Sequence, residues 1–228
     1  MSEKFLRRHV ADDELRDALT PRYPFRCKRV LLGEKYYVAL QRPHVDLVTD
    51  PIERITSTSV VTAGGKIVDV DVLVLATGFE TSRYLSGLDV IGIAGENLHD
   101  RWGLDPRAYL GVAVPGFPNL FCLYGPNTNI VINGSIVYFS ECGVRFILGL
   151  IEQALGSGKR AIEVKQDVHD EFNQQVDEAN SKMAWGFSTV SSWYKNDSGR
   201  VAQNWPFTLL EYWQRTQRPD PAEFDLLG

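Results

Sequence analysis

Five consecutive apolar residues, Val72-Leu73-Val74-Leu75-Ala76, stopped by Thr77-Gly78, constrain this chain more than any other feature. A half-exposed strand alternates apolar and polar side chains, whereas an unbroken aliphatic run suits a strand covered on both faces. Such a strand needs neighbours at its edges and layers above and below it, so an α/β arrangement is expected. Gly78 admits backbone dihedrals closed to other residues and lets a partner approach the backbone closely.

The surrounding pattern agrees with that class. Strands are expected at VDLVT (45–49), SVVTA (59–63) and KIVDV (66–70), the last two joined by Gly64-Gly65 as a two-residue hairpin turn. NLFCLYG (119–125) reads as a second buried strand, and residues 86–118, rich in Gly and Pro, as loops. Three helices are expected. The first is 12–19, with Asp12 as N-cap and Thr20-Pro21 as its stop. The second, 135–155, carries Ile136, Val137, Ser140, Val144, Ile147, Leu148, Ile151 and Leu155 as its core face. The third, 168–184, has Asp167 as N-cap and Val168, Phe172, Val176, Ala179 and Met183 on one face. His169 is expected at the surface, and Trp205 and Trp213 in a core or an interface.

Composition removes several function classes. The 228 residues carry 24 basic and 29 acidic side chains, a net charge of −5, which disfavours nucleic acid as a main partner. No apolar run approaches the ~18 residues of a membrane span. The segment MSEKFLRRHVADDEL has no apolar centre of the signal-peptide kind, so a cytoplasmic location is expected. Cys27, Cys122 and Cys142 lack CxxC spacing and the four histidines are scattered, so neither a disulfide framework nor a metal site is expected. The Asn-x-Ser matches at Asn133 and Asn196 then read as chance. Gly156-Ser157-Gly158-Lys159-Arg160-Ala161 fits G-x-G-x-x-A, but it closes a helix and precedes a strand, the reverse of a dinucleotide fingerprint. No nucleophile-plus-base set supports hydrolase chemistry.

Four segments, in order, carry a resemblance: YPFRCKRVLLGEKYY (23–37), DVDVLVLATGF (69–79), YLGVAVPGFPNLFCLYGPN (109–127) and SSWYKNDSGRVAQNWP (191–206). Together they resemble the C-terminal part of the flavin-dependent Baeyer–Villiger monooxygenases, within the flavin-containing monooxygenase group. The resemblance implies FAD and NADPH as cofactors, and a ketone and O2 as substrates, giving an ester or lactone through a C4a-peroxyflavin. Charge alone leaves residues 22–42 equally readable as a solvated face. The resemblance instead places Arg29 beside the flavin as the catalytic cation, its fixed fork of donors suited to an oxyanion. It places Lys28 at the extra phosphate of NADPH and packs Trp193 against that cofactor. Thr77 and Gly78 match the crossover from the NADPH-binding to the FAD-binding domain. Gly125, Pro126 and Asn127, by pattern only a strand-to-helix turn, match a loop near the flavin ring.

The resemblance also implies what is missing. The G-x-G-x-x-G motifs that cradle the two pyrophosphates do not occur. The expected fold is therefore a partial two-dinucleotide-binding-domain, Rossmann-like flavoprotein lacking the N-terminal FAD βαβ unit. Residues 1–20 are expected as a helical segment, 21–77 as the end of the NADPH-binding domain and 78–228 as the end of the FAD-binding domain with a helical tail. Such a chain is expected to be inactive alone, with an upstream polypeptide supplying the FAD βαβ half. Two other expectations stay open: a fragment of an N- or S-oxygenating flavin monooxygenase, and a non-catalytic remnant or assembly module.

Overall fold

The computed structural model describes every residue except Met1, Leu32, Glu34, Ile132 and Asn133. The described residues form two compact units, Met1–Tyr23 with Val30–Phe79, and Pro24–Arg29 with Glu80–Gly228. Asn133 lies outside the described residues.

The first unit holds three short helices and a three-stranded sheet. Helix α1 (Ser2–His9) turns Leu6 inward, and Val10 beyond its end is also buried. Helix α2 (Asp13–Leu19) starts as expected: Asp12 Oδ1 accepts from the Leu15 amide at 2.9 Å, filling an amide that the first turn leaves open. Helix α3 (Tyr36–Leu40) is tied to α1 through Gln41, whose Nε2 donates to the His9 carbonyl at 2.6 Å.

Strands β1 (Ile52–Ile55), β2 (Ser59–Thr62) and β3 (Ile67–Asp69) pair antiparallel in that order. The expected strand at 45–49 is not one. Pairing begins instead near Pro51, whose carbonyl accepts from the Ala63 amide at 2.9 Å. The β2–β3 turn is one residue longer than the Gly-Gly reading. Gly65 N donates to Thr62 O and Thr62 N to Lys66 O, each at 2.9 Å, and Gly65 takes φ 81°. This is a tight turn closed by a glycine bulge, a geometry matched to strand twist.

The apolar run at 72–76 departs most from expectation. It forms no strand, and Val72, Leu73, Val74 and Leu75 stand between 42% and 80% exposed. A strand of this composition is stable only with ladder partners and covering layers, and among the described residues none pairs with it.

The second unit is built on helix α5 (Ile136–Gly156), packed against helix α7 (Leu209–Thr216) and beside the antiparallel pair of β4 (Ala161–Val164) with β5 (Phe224–Leu227). Phe139 of α5 stacks on Tyr212 of α7 with centroids 3.9 Å apart, and Trp205 meets Tyr212 edge-on at 5.0 Å. The face of α5 that is buried is not the expected one. Phe139, Cys142, Gly143, Phe146, Leu150 and Ala154 form the core side. Gly156 and Gly158, the latter at φ 68°, close α5 ahead of β4, so the glycine pair is a helix stop.

Helix α6 (Gln166–Ser181) begins two residues before its expected start, with Lys165 as N-cap and Asp167 inside the first turn. A short helix α4 (Leu98–Trp102), capped by Asn97, lies in the stretch expected to be all loop. NLFCLYG is held by a single bridge, Ala113 to Phe121, because Asn119 (φ 61°) and Tyr124 (φ 57°) break the extended backbone at both ends. Trp205 is buried and Trp213 packs at the edge of the same core. No described helix is long and apolar enough to cross a membrane, and no described cluster of His, Cys, Asp and Glu could hold a metal.

His169 is buried, not at the surface, with Nδ1 2.8 Å from Asp170 Oδ1. Burial pushes its pKa down, against the pull of Asp170. The unfolded chain takes up a proton at this residue near pH 6.5, whereas the folded chain does so only at lower pH. Stability therefore falls as pH drops below about 6.5. Urea unfolding at pH 7.5 and 5.5 should show this loss, and His169→Gln should flatten it.

Candidate functional site

Four loops of the second unit, 24–29, 81–84, 124–131 and 190–205, are tied together by side chains bonding to backbone. Arg29 Nη1 donates to the Ile130 carbonyl at 2.9 Å. Thr81 Oγ1 donates to the Trp193 carbonyl at 2.9 Å, and Gln203 Nε2 to the Thr81 carbonyl at the same distance. Tyr84 Oη donates to Gln203 Oε1 at 2.6 Å, while Asn129 N reaches Gln203 O at 2.8 Å. Each bond joins segments far apart in sequence, so the loops hold one another in register without a sheet.

Gly125-Pro126-Asn127 sits buried at the centre. A Cβ on Gly125 would lie 2.3 Å from the Gly111 carbonyl oxygen, so the two loops touch backbone to backbone only because residue 125 is glycine. Asn127 takes φ 58° and turns its amide inward. Its Nδ2 donates to Val201 O at 2.8 Å and Asn204 O at 3.2 Å, and its Oδ1 accepts from Arg200 Nη2 at 2.7 Å. Arg200 in turn meets Asp177 Oδ1 at 2.7 Å and Asp105 Oδ1 at 3.0 Å, and Arg107 bridges the same two carboxylates at 2.9 Å each. Asn196 completes the cluster, donating to Asp105 Oδ1 at 2.8 Å and accepting from the Arg200 amide.

Among the described residues the Arg29 side chain has one hydrogen bond, to the Ile130 carbonyl, and the residue is exposed. Burial raises the Tyr194 and Tyr124 phenols, with the Arg29 charge pulling both the other way, so the guanidinium lies within electrostatic reach of both. The Tyr194 hydroxyl is fully buried and has no partner among the described residues. Trp193 lies beside Tyr194 with centroids 4.6 Å apart and is 43% exposed. Burial pushes the Cys122 thiol up to about 11, so it stays protonated at neutral pH.

The structure thus brings Arg29, Lys28, Gly125, Pro126, Asn127 and Trp193 into one unit, Arg29 and Trp193 joined to its loops through Ile130 and Thr81. Thr77 and Gly78 lie in the first unit, both exposed, with Gly78 at φ 91°. The pattern reading missed Arg200, Asp105, Asp177, Thr81 and Gln203. Arg200 lies inside SSWYKNDSGRVAQNWP, but its carboxylate partners are 23 and 95 residues away.

These residues fit one edge of a dinucleotide cofactor: an exposed arginine, a part-exposed indole and a buried loop. They do not include the glycine cradle for a pyrophosphate.

No family model matches the chain. It is 37% identical over 232 residues to an FAD-binding monooxygenase of Aspergillus niger, covering 100% of this chain and 38% of the relative. It is 31% identical over 224 residues to a Baeyer–Villiger monooxygenase of Pseudomonas aeruginosa, covering 98% of this chain and 42% of the relative. The structure of an oxidized steroid monooxygenase bound to NADP superposes with a TM-score of 0.84 at 28% identity, over 99% of this chain and 44% of that one. The chain spans less than half the length of each of these relatives. Its fold is accordingly part of a Rossmann-like flavoprotein fold, and by sequence and structure the chain is homologous to the Baeyer–Villiger and related flavin monooxygenases.

Proposed function

We propose that this chain supplies part of an FAD- and NADPH-dependent monooxygenase that inserts oxygen into ketones to give esters or lactones. The observation that carries this reading is Arg29: an exposed residue whose guanidinium is bonded at one nitrogen to the Ile130 carbonyl, in the same unit as an exposed Trp193. When bound, FAD and NADPH would supply the reducing equivalents and activate O2. Arg29 would hold the negative charge that develops on oxygen during attack on the ketone. Lys28 would meet a cofactor phosphate and Trp193 would pack against the nicotinamide. The buried Gly125-Pro126-Asn127 turn would line the flavin side, and Thr77 and Gly78 would mark the crossover from the NADPH-binding to the FAD-binding part. Residues 21–77 are then the NADPH-binding part and 78–228 the FAD-binding part, completed by a polypeptide that carries the glycine cradles.

Two outcomes test this. The purified chain alone should retain less than a tenth of an equivalent of FAD and should not oxidise NADPH; a yellow, stoichiometric flavoprotein would contradict the reading. With the chain substituted for the matching segment of the Aspergillus niger relative, Arg29→Ala should lower ketone oxygenation by about 10³-fold or more, the size expected for losing a preorganised charge at an oxyanion. An unchanged rate would remove Arg29 from the chemistry. Product formation only from amines or thioethers would assign the chain to N- or S-oxygenation.

A further inference from the structure

Helix α5 is apolar around most of its circumference, and only part of that surface is used. At 100° per residue, Phe139, Cys142, Phe146, Leu150 and Ala154 fall on the buried side. Val137, Ser140, Val144, Leu148, Ile151 and Leu155 form a row centred about 140° away and about 27 Å long. The five aliphatic members of that row are 39–72% exposed. Ser140 adds no polar demand, because its hydroxyl donates to the Ile136 carbonyl one turn back at 3.0 Å. The charged residues Glu141, Arg145 and Glu152 all lie to one flank of the row. A surface helix keeps one narrow apolar stripe; a helix apolar over most of its circumference is packed on more than one side. An apolar row of this length also exceeds what a free surface ordinarily carries.

We propose that the outward row of α5 is the face on which the polypeptide that completes this chain docks, through an apolar layer of its own. The proposal rests on the reading of the chain as part of a larger monooxygenase. What selects this occupant is coverage: 99% of the chain superposes on a protein of which it makes up 44%, so this same fold persists with more than its own length of further polypeptide around it. A second copy of the chain is the competing occupant and is one outcome of the test.

The test is hydroxyl-radical labelling of Leu148 and Leu155, read by mass spectrometry. It compares the isolated chain with the chain substituted for the matching segment of the Aspergillus niger monooxygenase. Labelling of both leucines should fall at least fivefold in the longer protein and should not depend on concentration in the isolated chain. Val144→Glu with Leu148→Glu should leave the thermal midpoint of the isolated chain within a few degrees and abolish the protection of Leu155 in the longer protein. Equal labelling in both contexts overturns the proposal, as does unfolding of the isolated double variant. Concentration-dependent protection in the isolated chain overturns it in favour of a second copy. Protection without ketone oxygenation would sink the functional reading and leave the docking face standing; oxygenation without protection would do the reverse.

Discussion

Replacing Arg200 with Met is expected to destabilise the second unit by about 3–5 kcal/mol, the cost of breaking a buried ion pair from one side. The Arg200 side chain is 10% exposed and holds four acceptors at once: Asp177, Asp105, the Pro106 carbonyl and Asn127 Oδ1. The carboxylates keep Arg107, but the Asn127 carbonyl oxygen loses the partner that fixes its amide. Lys at this position offers a single ammonium in place of a planar fork, so Arg200→Lys should recover less than half of the loss. All five tryptophans belong to the second unit, so urea unfolding followed by indole fluorescence reads this unit directly. A midpoint shift corresponding to less than about 1 kcal/mol, the worth of an exposed pair, would contradict the buried-clamp account.

Gly125→Ala is expected to cost about 3 kcal/mol, at the upper end for overpacking. The obstacle is backbone: the new methyl would sit 2.3 Å from the Gly111 carbonyl oxygen, and Gly111 cannot retreat easily. Gly111 is itself at φ 69°, with its own Cβ direction blocked by Thr128 Cγ2 at 2.1 Å. Gly156→Ala is the internal control. Nothing lies within 4 Å of its added methyl and it ends a helix, so it should be neutral or gain a few tenths of a kcal/mol. Equal effects at the two glycines would contradict the close loop contact.

The parts legible in the sequence were those set by local chemistry. Asp12 caps α2 because its carboxylate reaches an amide three residues on, and Gly156 with Gly158 stop α5. The parts that were not legible depend on what lies across the fold. The outward row of α5 looked like a core face because aliphatic spacing does not say which of two apolar sides finds a partner within the chain. His169 looked like a surface residue because its position near the start of a helix says nothing of the packing that buries it. The run at 72–76 was readable as a strand needing cover, yet no described strand flanks it and its side chains stand exposed. The candidate site divides in the same way. Gly125-Pro126-Asn127, Trp193 and Arg29 stood out as sequence segments, whereas the Arg200–Asp105–Asp177 cluster exists only in three dimensions.

On the reading proposed above, this chain is a working part of a flavin monooxygenase completed by further polypeptide. The most direct test of that reading substitutes the chain for the matching segment of the Aspergillus niger monooxygenase, then supplies NADPH, a ketone and ¹⁸O2. The account predicts an ester or lactone carrying one ¹⁸O atom, formed with consumption of one NADPH and abolished by Arg29→Ala. A folded, FAD-loaded protein that consumes NADPH without labelling any ketone product would contradict it.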